Sequence, residues 1–211
     1  MNETKKVKVL AHSAIRIEGE KTVYIDPFHV KEEPHDADLI LITHEHYDHL
    51  SPEDIARVAK AATWYAVPKT CREAALKAGL PAARLLFLAP GEKAKIADVP
   101  VEAVPAYNVG KQFHTKERNW LGYVVSLNGL RYYIAGDTDN NEDTRKVRCD
   151  VALLPVGGKY TMTAEEAAEL ANALKPLAAV PTHYGDIVGT AEAPKIFAER
   201  LDPSIACDTA R

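Results

Sequence analysis

Short apolar, β-branched runs separated by polar breaks fill the N-terminal third of the chain. They predict strands at Val7–Leu10, Ala14–Glu18 and Thr22–Ile25, with Glu18-Gly19-Glu20 as a turn. At Asp38–Thr43 the apolar residues cease to alternate with polar ones, the pattern of a strand covered on both faces. Ser51-Pro52-Glu53-Asp54 then marks a helix start: serine is an N-cap, proline suits the first turn, and two acids face the positive end of the helix dipole. That helix is predicted to run to about Ala61. A strand at Thr63–Val67 follows, then a second helix opened by a capping box at Thr70-Cys71-Arg72-Glu73 and ended by Gly79 and Pro81.

The middle of the chain reads as strands at Leu85–Leu88, Lys93–Ile96 and Val99–Val104. Two further runs, GYVVSL and LRYYIA, flank Asn128-Gly129, a strong hairpin signal because both residues tolerate positive φ. A buried strand at Asp150–Pro155 leads to a helix capped by Thr163-Ala164-Glu165-Glu166 and running to about Leu174. Leu177–Pro181 reads as a strand and Thr190–Leu201 as a final helix. Strands and helices alternate in each half with antiparallel pairs between, which predicts an α/β architecture of two packed sheets with helices outside. No linker or repeat divides the chain, so residues 1–211 are read as a single domain.

Composition narrows the function. At 46% hydrophobic and 27% charged residues, this is an ordinary globular chain, and a formal charge of −4 gives no general attraction to nucleic acid or anionic membrane. The opening residues lack the continuous apolar stretch of a signal peptide, and no run approaches the ~18 apolar residues of a membrane span. Cys71, Cys149 and Cys207 are widely spaced and odd in number, as reduced thiols of a cytoplasmic protein would be. The expected partner is a small molecule; a homo-oligomer is left open.

The anomaly is Thr43-His44-Glu45-His46-Tyr47-Asp48-His49, directly after the buried strand. Alternate residues of extended backbone point the same way, so His44 and His46 can converge on one ion. Asp48 and His49 follow where the chain turns toward the Ser51 helix and can face a second ion beside the first. A lone histidine is usually a surface residue, but H-x-H-x-D-H at the end of an apolar strand is a metal-ligand pattern. Imidazole and carboxylate suit Zn²⁺, and also Mn²⁺, Fe²⁺ or Ni²⁺.

This signature resembles that of the metallo-β-lactamase superfamily, and within it a hydrolase group akin to L-ascorbate-6-phosphate lactonase. AHSAIRI, VYIDPF, LITHEHYDH, YYIAGDTD, DVALLPVGGKYTM and VPTHYGD occur in the order expected of that group. The resemblance implies a four-layer αββα sandwich and a site for two ions. It implies that Asp137, in Ala135-Gly136-Asp137-Thr138, bridges them and that His183, in Pro181-Thr182-His183-Tyr184, completes the second site. Read alone, Asp137 is equally a turn residue and His183 a strand-end histidine.

One ligand departs from the pattern. Where the superfamily places a histidine this chain has Asn108, whose neutral amide is a poor Zn²⁺ ligand; His114, six residues on, is the alternative ligand or else an exposed loop residue. His12, between the first two strands, is expected near the metals, where related enzymes keep a histidine. Asp26 is either a carboxylate orienting a ligand imidazole or a turn former before Pro27. Lys159, in the glycine loop before the Thr163 helix, is either an anion contact or part of an ordinary connection.

The function implied is metal-assisted hydrolysis of an ester, lactone, amide or phosphodiester of a small, anionic molecule, with Asp48 holding or deprotonating the attacking water. Two competitors stand beside it. One is a non-catalytic protein with a relict metal site, which Asn108 favours; the other is a nuclease or phosphodiesterase. Diiron redox enzymes of the same fold resemble H-x-E-x-D at the motif, and His46 argues against them.

Overall fold

The computed structural model describes residues 3–209. Its first sheet takes strands in chain order: β1 (Val7–Ala11), β2 (Ala14–Ile17), β3 (Val23–Ile25), β4 (Ala37–Leu41), β5 (Ala59–Pro68) and β6 (Leu85–Leu88). The pairs β1/β2 and β2/β3 are antiparallel, and from β3 to β6 the pairing is parallel. The second sheet runs β7 (Lys93–Ile96), β8 (Val99–Pro105), β9 (Leu121–Leu127), β10 (Leu130–Ile134), β11 (Val151–Pro155), β12 (Ala178–Thr182) and β13 (Ala206–Cys207). It is antiparallel as far as β10 and parallel beyond.

Alternation assigns the faces. Ile15, Ile25, Leu39 and Leu41 of the first sheet pack against Leu121, Tyr123, Val125 and Ile134 of the second, forming the central core. Their neighbours Tyr24, Ile40, Tyr65 and Val67 face the other way, onto α1 (Pro52–Val58) and α2 (Arg72–Lys77). Val124, Tyr133, Ala152 and Leu154 likewise face α3 (Ala164–Leu174) and α4 (Ala193–Arg200). The result is the four-layer αββα sandwich. Among the described residues no helix is long and apolar enough to cross a membrane.

Local chemistry mostly acts as its residue types dictate. The Ser51 side chain caps α1, Thr163 and Glu166 form a reciprocal capping box on α3, and Asn128-Gly129 turns β9 into β10 with both φ angles positive. Three boundaries differ from expectation. Helix α1 stops at Val58 rather than Ala61, because the chain becomes extended at Ala59, which pairs with Ala37, and Thr63 Oγ1 donates to the Ala37 carbonyl at 2.6 Å. Thr70 does not cap α2: its hydroxyl donates to the Arg118 carbonyl, and a 3-10 turn at Lys69–Cys71 leads into the helix. The last helix begins at Ala193, three residues after Thr190.

Strand direction places the loops. Antiparallel pairing on both sides of β2 gives β1, β3 and β4 one direction, and the same holds for β8, β10 and β12 across β9. Each set therefore discharges its C-terminal loops at a single edge of its sheet. Bonds at that edge join the sheets: Leu121 N–H donates to the Thr43 carbonyl at 3.1 Å, His183 N–H to the His12 carbonyl at 2.9 Å, and Tyr123 Oη to the Ile42 carbonyl at 2.7 Å.

Within the second sheet Gly122 of β9 lies close against the end of β10, since a Cβ on it would lie 2.6 Å from the Ala135 carbonyl oxygen and 2.8 Å from that of Ile134. Both obstacles are backbone and cannot rotate away. Gly122→Ala is expected to lower stability by about 1–3 kcal/mol, the usual range for overpacking. An unchanged denaturation midpoint would contradict the close packing described.

Candidate metal centre

His44 and His46 leave β4 as the extended chain ends. A turn follows, in which the His49 and Leu50 N–H groups both donate to the His46 carbonyl, at 3.0 and 2.8 Å. This turn brings Asp48 and His49 back to the space that His44 faces. Loops after β1, β8, β10 and β12 add His12, His114, Asp137 and His183. Six of the chain's eight histidines meet here.

Their donor atoms fall into overlapping groups, each with all atoms within 4.8 Å: His44, His46 and His114; His12, Asp48, His49 and His183; and His44, His49 and Asp137. Asp137 lies between the groups. Its Oδ2 is 3.1 Å from His183 Nε2, 3.3 Å from His114 Nε2 and 4.0 Å from His44 Nε2, and its Oδ1 is 3.5 Å from His49 Nε2. Asp48 Oδ2 stands 3.3 Å from His12 Nε2 and 3.4 Å from His49 Nε2.

Buried polar atoms in folded proteins nearly always carry a hydrogen bond. Here Nε2 of His49 and His114, both ring nitrogens of His12 and His183, and Oδ1 of Asp137 are buried without a well-formed one among the described residues. One ring nitrogen of each of these histidines and an Asp137 oxygen belong to the converging donor groups, which match what divalent ions need. The residues fit a metal.

Electrostatics agree. Burial, reinforced by neighbouring imidazoles, lowers His44 well below the ordinary histidine range and His114 to about 4, so both are neutral at pH 7, the form that ligates. Burial pushes the Asp137 carboxyl up, but facing His183 and His49 outweigh it and hold the group well below the carboxylate range. Burial also disfavours a charged His49, yet Asp137 and Asp26 override it and raise His49 well above its ordinary value; the carboxylates call for a cation at this point, and a divalent ion would take the place of the His49 proton.

Asp26 holds the cluster from beneath. It is almost fully buried and accepts from the Thr43 N–H at 2.8 Å, the Thr43 hydroxyl at 2.6 Å and His49 Nδ1 at 2.7 Å. With Nδ1 engaged, His49 turns Nε2 toward Asp48 and Asp137. A carboxylate behind a ligating imidazole commonly fixes its tautomer and raises its basicity.

His114 lies inside the cluster, and Asn108 secures it. The Asn108 N–H donates to the His114 carbonyl at 2.7 Å, and its side-chain amide donates to the carbonyls of Phe113 and Tyr160 at 3.1 and 2.6 Å. Lys159 does not line the cleft; its ammonium sits 4.9 Å from the centre of the Tyr160 ring.

Two further contributors, Asp139 and Trp120, are not among the candidates the sequence offered. Asp139 accepts from the Val109 N–H at 2.9 Å and from Lys111 Nζ at 2.5 Å, pinning the loop that delivers His114. The Trp120 ring packs against His44, His46 and His114, with centroids 4.6, 4.8 and 5.3 Å away. His12, Asp26, His114 and His183 all adopt left-handed backbone, with φ of 46, 45, 58 and 58°. Such positions cost on the order of 1–3 kcal/mol each and persist where surrounding contacts impose them. The GDTD run brings Asp139 within two residues of Asp137, a signal of proximity; the rest depend on contacts distant in sequence.

The family model described as the beta-lactamase superfamily domain matches residues 6–183. A UPF0173 metal-dependent hydrolase of Thermococcus kodakarensis is 36% identical over 207 residues, covering 91% of this chain and 90% of its own. The crystal structure of a protein from Parabacteroides distasonis, described as a metal-dependent hydrolase, superposes with a TM-score of 0.80 at 30% identity, over 96% of this chain and 90% of that one. Igni18, a metallo hydrolase from Ignicoccus hospitalis, shares the fold with a TM-score of 0.78 at 23% identity, over 97% and 94% of the two chains. With the family model spanning most of its length and relatives matched nearly end to end, the chain belongs to the beta-lactamase superfamily.

Proposed function

We propose that this chain is a metal-dependent hydrolase that cleaves an ester, lactone or phosphodiester of a small molecule at the His–Asp cluster. The observation that carries this reading is the convergence of buried imidazole nitrogens lacking hydrogen bonds around Asp137. The cleft above them, about 280 Å³, is near the lower end of the ~300–1,000 Å³ usual for small-molecule sites. Likeness of the sequence motifs to a sugar-phosphate lactonase puts lactones among the bonds to test.

The donor set suits two Zn²⁺ ions, with Mn²⁺, Fe²⁺ and Ni²⁺ as alternatives. His44, His46 and His114 would hold one ion and Asp48, His49 and His183 the other, with Asp137 facing both. Divalent ions supply Lewis acidity and acidify water toward a pKa of ~7. Asp48 would hold the attacking water as a hydrogen-bond acceptor: burial raises its carboxyl, but contacts with His12 and His49 outweigh that and keep it ionised. His12, whose Nε2 approaches Asp48 at 3.3 Å, faces that carboxylate within the cleft. Asp26 fixes the orientation of His49.

Elemental analysis of the purified protein, with a panel of esters, lactones and phosphodiesters assayed before and after chelation and re-addition of metal, tests the proposal. Retained divalent metal with hydrolysis that follows it is expected; a metal-free protein inert on every bond class overturns it. Within this scheme His114→Ala should reduce the metal-to-protein ratio, by up to one ion per chain if two are bound. Asn108→Ala, which removes a positioning contact, should weaken affinity by roughly 10–100-fold while leaving the stoichiometry attainable at high metal. The reverse ranking would place Asn108, not His114, on the ion.

A further inference from the structure

Large apolar side chains are exposed at only six positions among the described residues, and three of them, Tyr47, Phe113 and Ile187, line the cleft over the cluster. They come from three separate loops. Tyr47 sits between His46 and Asp48 and is 67% exposed; Phe113 precedes His114 and is 46% exposed; Ile187 follows His183 by four residues and is 41% exposed. Val188 and Tyr160 extend the same lining, and the Phe113 and Tyr160 rings meet edge to face at 5.5 Å. Solitary exposed apolar residues are common, but a contiguous patch around a polar cluster marks a binding surface.

The charges around this mouth point the same way. No lysine or arginine lines the cleft. The nearby Lys111 is committed to Asp139 and to the Thr161 carbonyl, and Lys159 lies against Tyr160 outside the lining. The wall therefore offers no lysine or arginine to form an ion pair with a phosphate or carboxylate held away from the ions.

We infer that the cleft takes a substrate bearing an uncharged apolar group, aryl or branched alkyl, beside the bond that is cleaved. The group lies among Tyr47, Phe113 and Ile187 while the scissile centre faces the cluster. This inference rests on the metal-dependent reading above. It replaces the expectation of an anionic substrate read through Lys159.

Hydroxamates test it, because one chelating head can carry different groups. Binding of acetohydroxamate, benzohydroxamate and the carboxylate-bearing succinic monohydroxamate to the Zn²⁺-loaded protein would be measured by calorimetry. Burial of the added ring should make benzohydroxamate bind about tenfold or more tightly than acetohydroxamate. The ratio should shrink several-fold in both Tyr47→Ser and Ile187→Ser, with the Zn²⁺ content of each variant measured as the check on an intact metal site. Equal affinities, preference for the carboxylate compound, or a ratio unmoved by both substitutions would overturn the inference. Failure of all three compounds to bind would instead overturn the metal-site reading, and this inference with it.

Discussion

Asp137→Ala is expected to strip the cluster of metal and to abolish metal-dependent activity. Among the described residues no other carboxylate approaches as many of the clustered histidines: His183, His114, His49 and His44 all stand within 4.0 Å of its two oxygens. Its loss removes the carboxylate that lies between the groups of donor atoms and leaves His49 with Asp26 and Asp48 as counter-charges. The affinity loss should exceed the ~10–100-fold seen when a supporting residue behind a ligand is removed. Stability gives a second readout. Breaking a buried ion pair from one side costs about 3–5 kcal/mol, so the metal-free variant should melt below the metal-free wild type. The wild type should gain about 2.7 kcal/mol when metal is supplied at a hundred times its Kd, a gain the variant should lack. A variant that binds metal and is stabilised by it as the wild type is would remove Asp137 from the centre.

The second large effect is at Asp26, which touches no substrate. Its carboxylate accepts three hydrogen bonds in a fully enclosed space, so Asp26→Ala leaves the Thr43 N–H, the Thr43 hydroxyl and His49 Nδ1 without an acceptor. A stability loss of about 3–5 kcal/mol is expected. Alanine is also poorly suited to the left-handed backbone at this position, where φ is 45°. Asp26→Asn separates structure from function. Asparagine tolerates that backbone and can still accept from Thr43, so the variant should fold with a smaller loss. Its neutral amide cannot hold His49 as the carboxylate does, and metal affinity should fall by about 10–100-fold. Denaturation of the metal-free proteins and metal titration of each distinguish these outcomes. Unchanged metal affinity in Asp26→Asn would reduce Asp26 to a structural residue.

What the sequence determined was local. The H-x-H-x-D-H run was legible because its geometry is set within six residues, by an extended strand end and the turn after it. Most elements were legible too: β-branched runs make strands wherever they are covered, and the Thr163 box and Asn128-Gly129 turn satisfy their own backbone. Where local chemistry met a stronger distant partner, it lost. Thr70 gave up its cap for the Arg118 carbonyl, and the end of α1 yielded to β5 pairing with β4. The two-residue edge strand β13 carries no periodic pattern at all.

The tertiary structure decided which scattered residues meet. His12, His114 and His183 come from loops far apart in the chain, and they converge because β1, β8 and β12 deliver their loops to the same edge of the sandwich. Whether Asn108 or His114 faces the cluster, whether Asp26 turns a loop or holds an imidazole, and whether Lys159 reaches the cleft all depend on loop backbones in the left-handed region or on hydrogen bonds across tens of residues. No composition marks these. A loop conformation of this kind is imposed by the two sheets that anchor it, so it comes into being only when they pack.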